Sequence, residues 1–313
     1  MRKRALILAI FVAWALKAEE YPSVKVGGFI ASQFVNDESE NIGVSNQWKF
    51  RHARLHGIGQ TSNKLNWFIQ IETATGNVVL QNAFANLTYL PNTEIRAGYI
   101  KIPFGIEAYG HPLQNPTIDI SQASKKIYRG AQDIGMHVKC GYRFVTCWVA
   151  VVNGNNGATC DNNSCKDLCG RLLLTPVKGV DVGGSYYAGK RDTLELATNR
   201  LGVEFNYKHG PAQARVEYLG AKDEQVMGDK ESIGYYAVLA YRFIPQIEGV
   251  VRYDVYDLDT KVGDNEWSNL TLGLSYYFVP SGWNRISLNY EIRNDKTNEL
   301  LGNLLTLQLQ ILF

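Results

Sequence analysis

From Ser23 to the end of the chain, short segments alternate apolar and polar residues, the period of a strand whose two faces meet different surroundings. The last is the clearest: Asn303, Leu305, Leu307, Leu309, Ile311 and Phe313 share one face, against Thr306, Gln308 and Gln310 on the other. Leu201, Val203, Phe205 and Tyr207 oppose Glu204 and Asn206; Ile286, Leu288, Tyr290 and Ile292 oppose Arg285, Asn289, Glu291 and Arg293. The nine prolines punctuate these segments, in turns or in one long loop, because a residue without an N–H does not sit inside a sheet ladder. The pattern predicts sixteen strands, near 24–35, 47–60, 64–73, 79–90, 94–102, 133–140, 144–153, 169–176, 180–190, 197–208, 212–222, 232–243, 247–257, 266–278, 284–293 and 302–313.

The links between them alternate between tight turns, such as His209-Gly210-Pro211 and Ile244-Pro245-Gln246, and longer polar loops, such as Asn36 to Asn46, Asn153 to Lys166 and Asp223 to Glu231. An even strand count with short turns at one end and long loops at the other describes a transmembrane antiparallel β-barrel of the outer-membrane kind. The strand lengths match the ~9–11 residues that cross a bilayer at a tilt. Aromatics end many apolar faces (Trp67, Tyr89, Tyr207, Phe243, Phe278, Phe313), as interfacial girdles do.

The one long apolar run, Ala5 to Leu16, is shorter than the ~20 residues of a spanning helix. It follows Arg2, Lys3 and Arg4 and precedes Lys17 and Ala18, which reads as an export signal over residues 1–18, leaving 19–313 as one barrel domain. The whole chain carries +2, with 32 basic and 30 acidic residues. The segment 1–18 takes four basic residues and no acid, so 28 basic residues remain against 30 acidic ones, a mature charge of −2. Net charge therefore gives no argument for an anionic partner, and nothing suggests a nucleic-acid binder.

Export into an oxidising compartment makes disulfides the default for Cys140, Cys147, Cys160, Cys165 and Cys169. Cys140 and Cys147 flank a tight turn and form the candidate bridge, provided they lie opposite each other. Cys160, Cys165 and Cys169 are grouped in a long loop, for a second bridge or a metal; no His stands near them, which disfavours metal. His52 and His56, four residues apart on one strand, lie roughly 13 Å apart and cannot share an ion. No cofactor is implied. Gly-x-Ser-x-Gly, His-Glu-x-x-His and the phosphate-binding P-loop are missing from the sequence, so an enzyme is not expected.

Three stretches carry a family resemblance: Phe50-Arg51-His52-Ala53-Arg54-Leu55, Asn82-Ala83-Phe84-Ala85-Asn86-Leu87, and Ile95-Arg96-Ala97-Gly98-Tyr99-Ile100-Lys101-Ile102-Pro103-Phe104-Gly105-Ile106-Glu107. With the ending Leu307 to Phe313 they resemble the phosphate-selective porin O and P family. The resemblance implies sixteen-stranded homotrimers in the outer membrane of a Gram-negative bacterium, in contact with its lipids. It also implies passive uptake of small hydrophilic solutes and preference for anions such as phosphate. His52 stands where the family usually has Arg, and Asn82 where it often has an acid, which weakens transfer of the solute's identity.

A sixteen-stranded barrel leaves a wide aqueous lumen, and residues 103–132 are long enough to fold into it as a constriction. The expected anion-binding residues are Lys125, Lys126 and Arg129 on that loop, counted together with Lys101 at its root. Alternation turns Arg54, Arg96, Arg171, Arg215, Arg252, Arg285 and Arg293 toward the lumen wall, with Glu72, Asp181, Glu204, Glu217, Glu248, Asp254 and Glu291. These arginines either form a ladder for anions or neutralise the acids across strands, and mutual pairing is the favoured reading for most. The expected function is a diffusion porin with modest anion preference; a non-selective or weakly cation-preferring porin, and a structural or adhesive barrel without conductance, are the alternatives.

Overall fold

The computed structural model describes residues 21–39, 45–128, 132–280, 282–297 and 301–313; the expected export signal and Arg129 lie outside the described residues. Sixteen strands form a closed antiparallel barrel in sequence order, with β1 pairing β16. They are β1 Ser23–Asp37, β2 Asn46–Ser62, β3 Leu65–Glu72, β4 Val79–Leu87, β5 Thr93–Lys101, β6 Gln132–Tyr142, β7 Val145–Val152 and β8 Asp167–Val177. The second half comprises β9 Val180–Arg191, β10 Leu196–His209, β11 Ala212–Gln225, β12 Gly228–Ile244, β13 Ile247–Asp257, β14 Glu266–Tyr277, β15 Arg285–Asp295 and β16 Leu304–Leu312. Closure leaves no strand edge unpaired, the condition for a sheet in hydrocarbon, where no water replaces a missing partner. The seam runs from Phe29 opposite Leu312 to Asp37 opposite Leu304.

Burial is inverted relative to a water-soluble sheet. Val203, Leu239 and Leu274 stand 52%, 64% and 54% exposed on the outside, while Gln33, Gln308 and Gln310 on the inside are almost fully buried. The inner polar groups bond one another across strands: Gln33 Nε2 donates to Gln308 Oε1 at 2.8 Å, Asn86 Nδ2 to Asn66 Oδ1 at 3.0 Å, and the Ser275 and Ser287 hydroxyls meet at 2.8 Å. Around the short-turn end, Tyr89, Tyr142, Phe144, Phe243, Phe278 and Phe313 are exposed.

Strand ends differ from the sequence reading at one long loop. The expected loop Asp223 to Glu231 continues as strand to a two-residue turn, with Lys222 opposite Glu231 and Asp223 opposite Lys230. Lys222 Nζ reaches Asp229 at 3.1 Å and Glu231 at 3.4 Å. Both faces of this hairpin extension carry charge, so apolar alternation stops while the ladder goes on.

Residues 102–128, which follow β5 toward β6, contain a 3₁₀ turn at Pro112–Gln114 and a short helix, α1, Gln122–Ile127, capped by the Ser121 hydroxyl, which accepts from Ser124 N. The segment lies against the inner wall. Ile102, Phe104, Ala108, Ala123, Ile127 and Tyr128 form one apolar cluster with Ala150, Val152, Cys169, Tyr187, Leu219, Tyr236 and Val238 from β7, β8, β9, β11 and β12. Gly98 on β5 stands opposite Phe84 at a φ of 132°, where a Cβ would run into the β4 backbone, so the glycine lets β5 approach β4 closely there.

Candidate functional site

The inner segment is held by the wall through its own backbone. Ile106 N donates to Glu217 Oε1 at 2.8 Å and Gln122 N to Asp254 Oδ1 at 2.8 Å. Its carbonyls accept in turn from arginines: Asp119 O from Arg252 at 2.5 Å, Asn115 O from Arg285 at 2.5 Å, and Ile127 O from Arg200 at 3.0 Å. A loop inside a barrel carries backbone groups that solvent does not satisfy, and charged wall residues supply the partners. On the far side Asp119 meets Arg51 at 3.0 Å and Lys125 at 3.7 Å, so the segment is tied to β2 as well as to β9–β16. Burial alone would raise the Asp119 carboxyl, but Lys125, Arg51 and Arg252 hold it well below the ordinary carboxylate range. Acidification to the usual carboxylate pKa of about 4 therefore leaves this tie intact.

Three cavities lie along the lumen. Near the long-loop end, one of about 480 Å³ is lined by Lys126, Arg191 and Arg200 with Tyr99, Tyr128 and Tyr187. Between the inner segment and β2, β4 and β5, one of about 360 Å³ is lined by Arg51, Arg54, Lys101 and Lys125, with Glu107 as its one lining carboxylate. At the short-turn end, one of about 380 Å³ is lined by Lys208, Arg215, Arg242 and Arg285, with Glu248 as its one lining carboxylate.

The expected site residues are dispersed among these. Lys101 and Arg54 line the middle cavity, where Lys101 Nζ donates to Gly110 O at 2.5 Å and Arg54 pairs with Glu72 at 2.8 Å. Lys125 lines it too and is paired with Asp119 at 3.7 Å, so it does not stand there as a free cation. Lys126 turns to the outer cavity, 4.4 Å above the Trp267 ring. Arg215 and Arg285 line the cavity at the short-turn end. Arg252 is not open wall: at 1% exposure it is covered by the inner segment and bonded to Asp254 at 3.0 Å. Arg96 stacks on Phe84 at 4.1 Å and bonds Asn86 and Glu94. Cross-strand neutralisation holds for Arg171 with Glu204 at 2.8 Å and is looser for Arg285, 3.9 Å from Glu248.

A family model for Gram-negative porins matches residues 5–298. The chain belongs to the Gram-negative porin family. Such porins reside in the outer membrane. Among solved structures, this porin is similar to a loop-deletion mutant of the outer-membrane protein OmpT of Vibrio cholerae, with TM-score 0.73 and 12% identity over 94% of this chain and all of the other. It is also similar to the anion-selective porin of Comamonas acidovorans (TM-score 0.69, 12% identity, 93% and 100% covered) and to the outer-membrane channel DcaP of Acinetobacter baumannii (TM-score 0.70, 12% identity, 95% and 99% covered). Likeness at these identities speaks for the fold. The chain matches no curated protein.

The porin's cysteines correct a further expectation. Cys140 and Cys147 are register partners across β6 and β7, yet all five thiols are free. The Cys140 sulfur sits 3.6 Å from Thr93 Oγ1 on the opposite neighbour, β5, rather than against Cys147. Cys169 belongs to β8, not to the loop: its thiol is buried inside the barrel and donates to Pro103 O at 3.4 Å.

Two important residues escape strict alternation. Arg51 would point outward beside inward His52, but β1 and β2 shift register between Ala31 and Ser32, and the extra β2 residue turns Arg51 to Asp119. His111 caps the 3₁₀ turn, its Nδ1 accepting from Leu113 N at 3.2 Å, and packs between Phe29 and Trp283. Burial, with Lys101 and Arg54 nearby, pushes its pKa from an ordinary 6.5 down to about 4. Folding thus favours the neutral ring: this contribution is full above 6.5, declines as pH falls toward 4, and is flat below. Thermal unfolding of the wild type is expected to lose stability across that window, and His111→Gln to remove part of the loss; an unchanged slope rejects the assignment.

Proposed function

We propose that this porin is a passive channel for small hydrophilic solutes with a modest preference for anions, its narrowest passage lying between the inner segment and the β2–β5 wall. Fold and family favour a channel over an enzyme. The observation that carries the anion preference is the lining of the three cavities, eleven Lys and Arg against two carboxylates. A guanidinium presents planar donors that suit oxyanions, and fixed charge in a low-dielectric passage concentrates the counter-ion. Phosphate belongs to this class, in line with the resemblance of the Ile95 to Glu107 stretch to phosphate-selective porins.

A homotrimer in contact with outer-membrane lipid is part of the same proposal. The exposed apolar outside supports the lipid contact. OmpT of Vibrio cholerae, one of the similar structures, is described in a trimer form. The test is planar-bilayer recording in a KCl gradient. The reversal potential is expected to have the sign of chloride preference and to shrink as salt rises and screens the lining. A potential of cation sign overturns the preference, and the lack of any channel overturns the porin function itself.

A further inference from the structure

We propose that a furrow on the outside of β11, at the short-turn end, holds one acyl chain of a glycerophospholipid whose phosphate meets the turns beneath it, an inference that rests on the lipid contact in the reading above. The strand register maps this part of the wall. One outward row across the strands runs Tyr207, Ala214, Leu239, Val251, Leu272, and the next row toward the turns runs His209, Ala212, Tyr241, Gly249, Leu274. Ala212 and Ala214 are thus the floor of a trough along β11, with Tyr207 and His209 on the β10 bank and Leu239 and Tyr241 on the β12 bank. Farther along the same face Val216 and Tyr218 stand exposed, so the trough closes toward the middle of the barrel.

A bulge shapes its far side. β12 and β13 shift register between Arg242 and Ile244, which leaves Phe243 outside the pairing. Its ring covers Gly249, where a Cβ would lie 2.8 Å from it, and meets the Tyr241 ring edge-on at 5.5 Å. The hollow between these groups measures about 650 Å³, and no charged side chain lines it.

Position and charge select the occupant. The hollow opens outward on a wall whose outward side chains are apolar, and carbon left without neighbours there forfeits dispersion contacts that a hydrocarbon chain restores. Where the trough opens, the turns 176–180 and 207–213 carry Lys178, Lys208 and His209, all exposed, and no carboxylate. Lys208 N donates to Gly179 O at 2.7 Å, which holds the two turns side by side. A carbon trough leading to a basic rim is complementary to an acyl chain that ends in a phosphate. Short turns face the periplasm in such barrels, which assigns the lipid to that leaflet.

The test adds phosphatidylglycerol to the purified porin in detergent and counts bound lipid by native mass spectrometry, with diacylglycerol and glycerol 3-phosphate in parallel. One phosphatidylglycerol per chain is expected to bind about tenfold more tightly than diacylglycerol, the worth of roughly one charge-assisted contact, and glycerol 3-phosphate is expected not to displace it. Ala214→Phe, which fills the trough, should weaken phosphatidylglycerol by about tenfold, and Leu288→Phe, outward on β15, should leave it unchanged. Lys178→Gln with His209→Gln should bring phosphatidylglycerol down to the level of diacylglycerol. Both residues of that pair are exposed, so it decides the question even where Ala214→Phe does not fold. Displacement by glycerol 3-phosphate, or equal binding by Ala214→Phe, overturns the furrow as the lipid's seat. A disulfide between chains carrying Ala214→Cys shows a second copy seated there and overturns it as well. A porin that floats with liposomes yet retains no lipid overturns the site alone, whereas one that does not float overturns the lipid contact on which it rests.

Discussion

Arg252→Ala is expected to widen the channel and weaken the barrel together. The Arg252 guanidinium holds Asp254 at 3.0 Å, Thr271 Oγ1 at 3.1 Å, Thr117 Oγ1 at 3.0 Å and Asp119 O at 2.5 Å, and lies 4.0 Å from Glu291. Two of those contacts belong to the inner segment and the rest to the wall, so one side chain joins them. Removing it leaves Asp254, fully buried, without its counter-charge. Breaking a buried pair from one side costs about 3–5 kcal/mol. Thermal unfolding should drop accordingly, and single-channel conductance should rise severalfold as the segment loses its hold on β13. Arg252→Lys restores charge but not the planar fork, and should recover part of the stability with less of the closed conductance. Lower stability with unchanged conductance would show that the segment does not set the passage.

The second large effect is on selectivity. Lys101→Glu with Lys125→Glu turns the lining of the middle cavity from four cations and one carboxylate into two cations and three carboxylates, a change of four charge units. The reversal potential is expected to change sign at low salt and to approach zero when the Debye length falls to a few Å near 1 M. Lys126→Glu, in the outer cavity over Trp267, should move it by less. If Lys126→Glu alone has the larger effect, the selective step lies at the mouth rather than beside β2. A sign that stays fixed in the double variant would remove the middle cavity from any role in selectivity.

The barrel was legible because its rule is local: a residue's face follows from counting by two, and the closed fold keeps sixteen strands close to where that count places them. The exceptions arise where the count is interrupted or where a third body intervenes. Arg51 was missed because a bulge in β2 inserts one residue, which no alternation rule announces. The role of Arg252 was missed because its partner is the inner segment, distant in sequence. A signal for that docking surface did exist. Ala150, Val152, Leu219 and Val238 are apolar at inward positions, where a water-filled lumen calls for polar side chains; together they trace the footprint of the inner segment. The cysteines were read from compartment and spacing alone, which does not show which way a sulfur turns.

The inner segment touches β16 through Gln310, whose Nε2 donates to Leu113 O at 3.4 Å, and β2 through Arg51, strands that flank β1 on either side of the seam where the chain's ends meet. Its docking surface is therefore incomplete until the first and last strands have found each other. Assembly acquires an order in time: strand pairing and closure come first, and the segment seats last, reporting completion as a strut across the join. In a refolding experiment, protection of the Asp119 and Asn115 contacts should lag behind sheet formation, and a barrel truncated before β16 should form sheet yet never seat the segment.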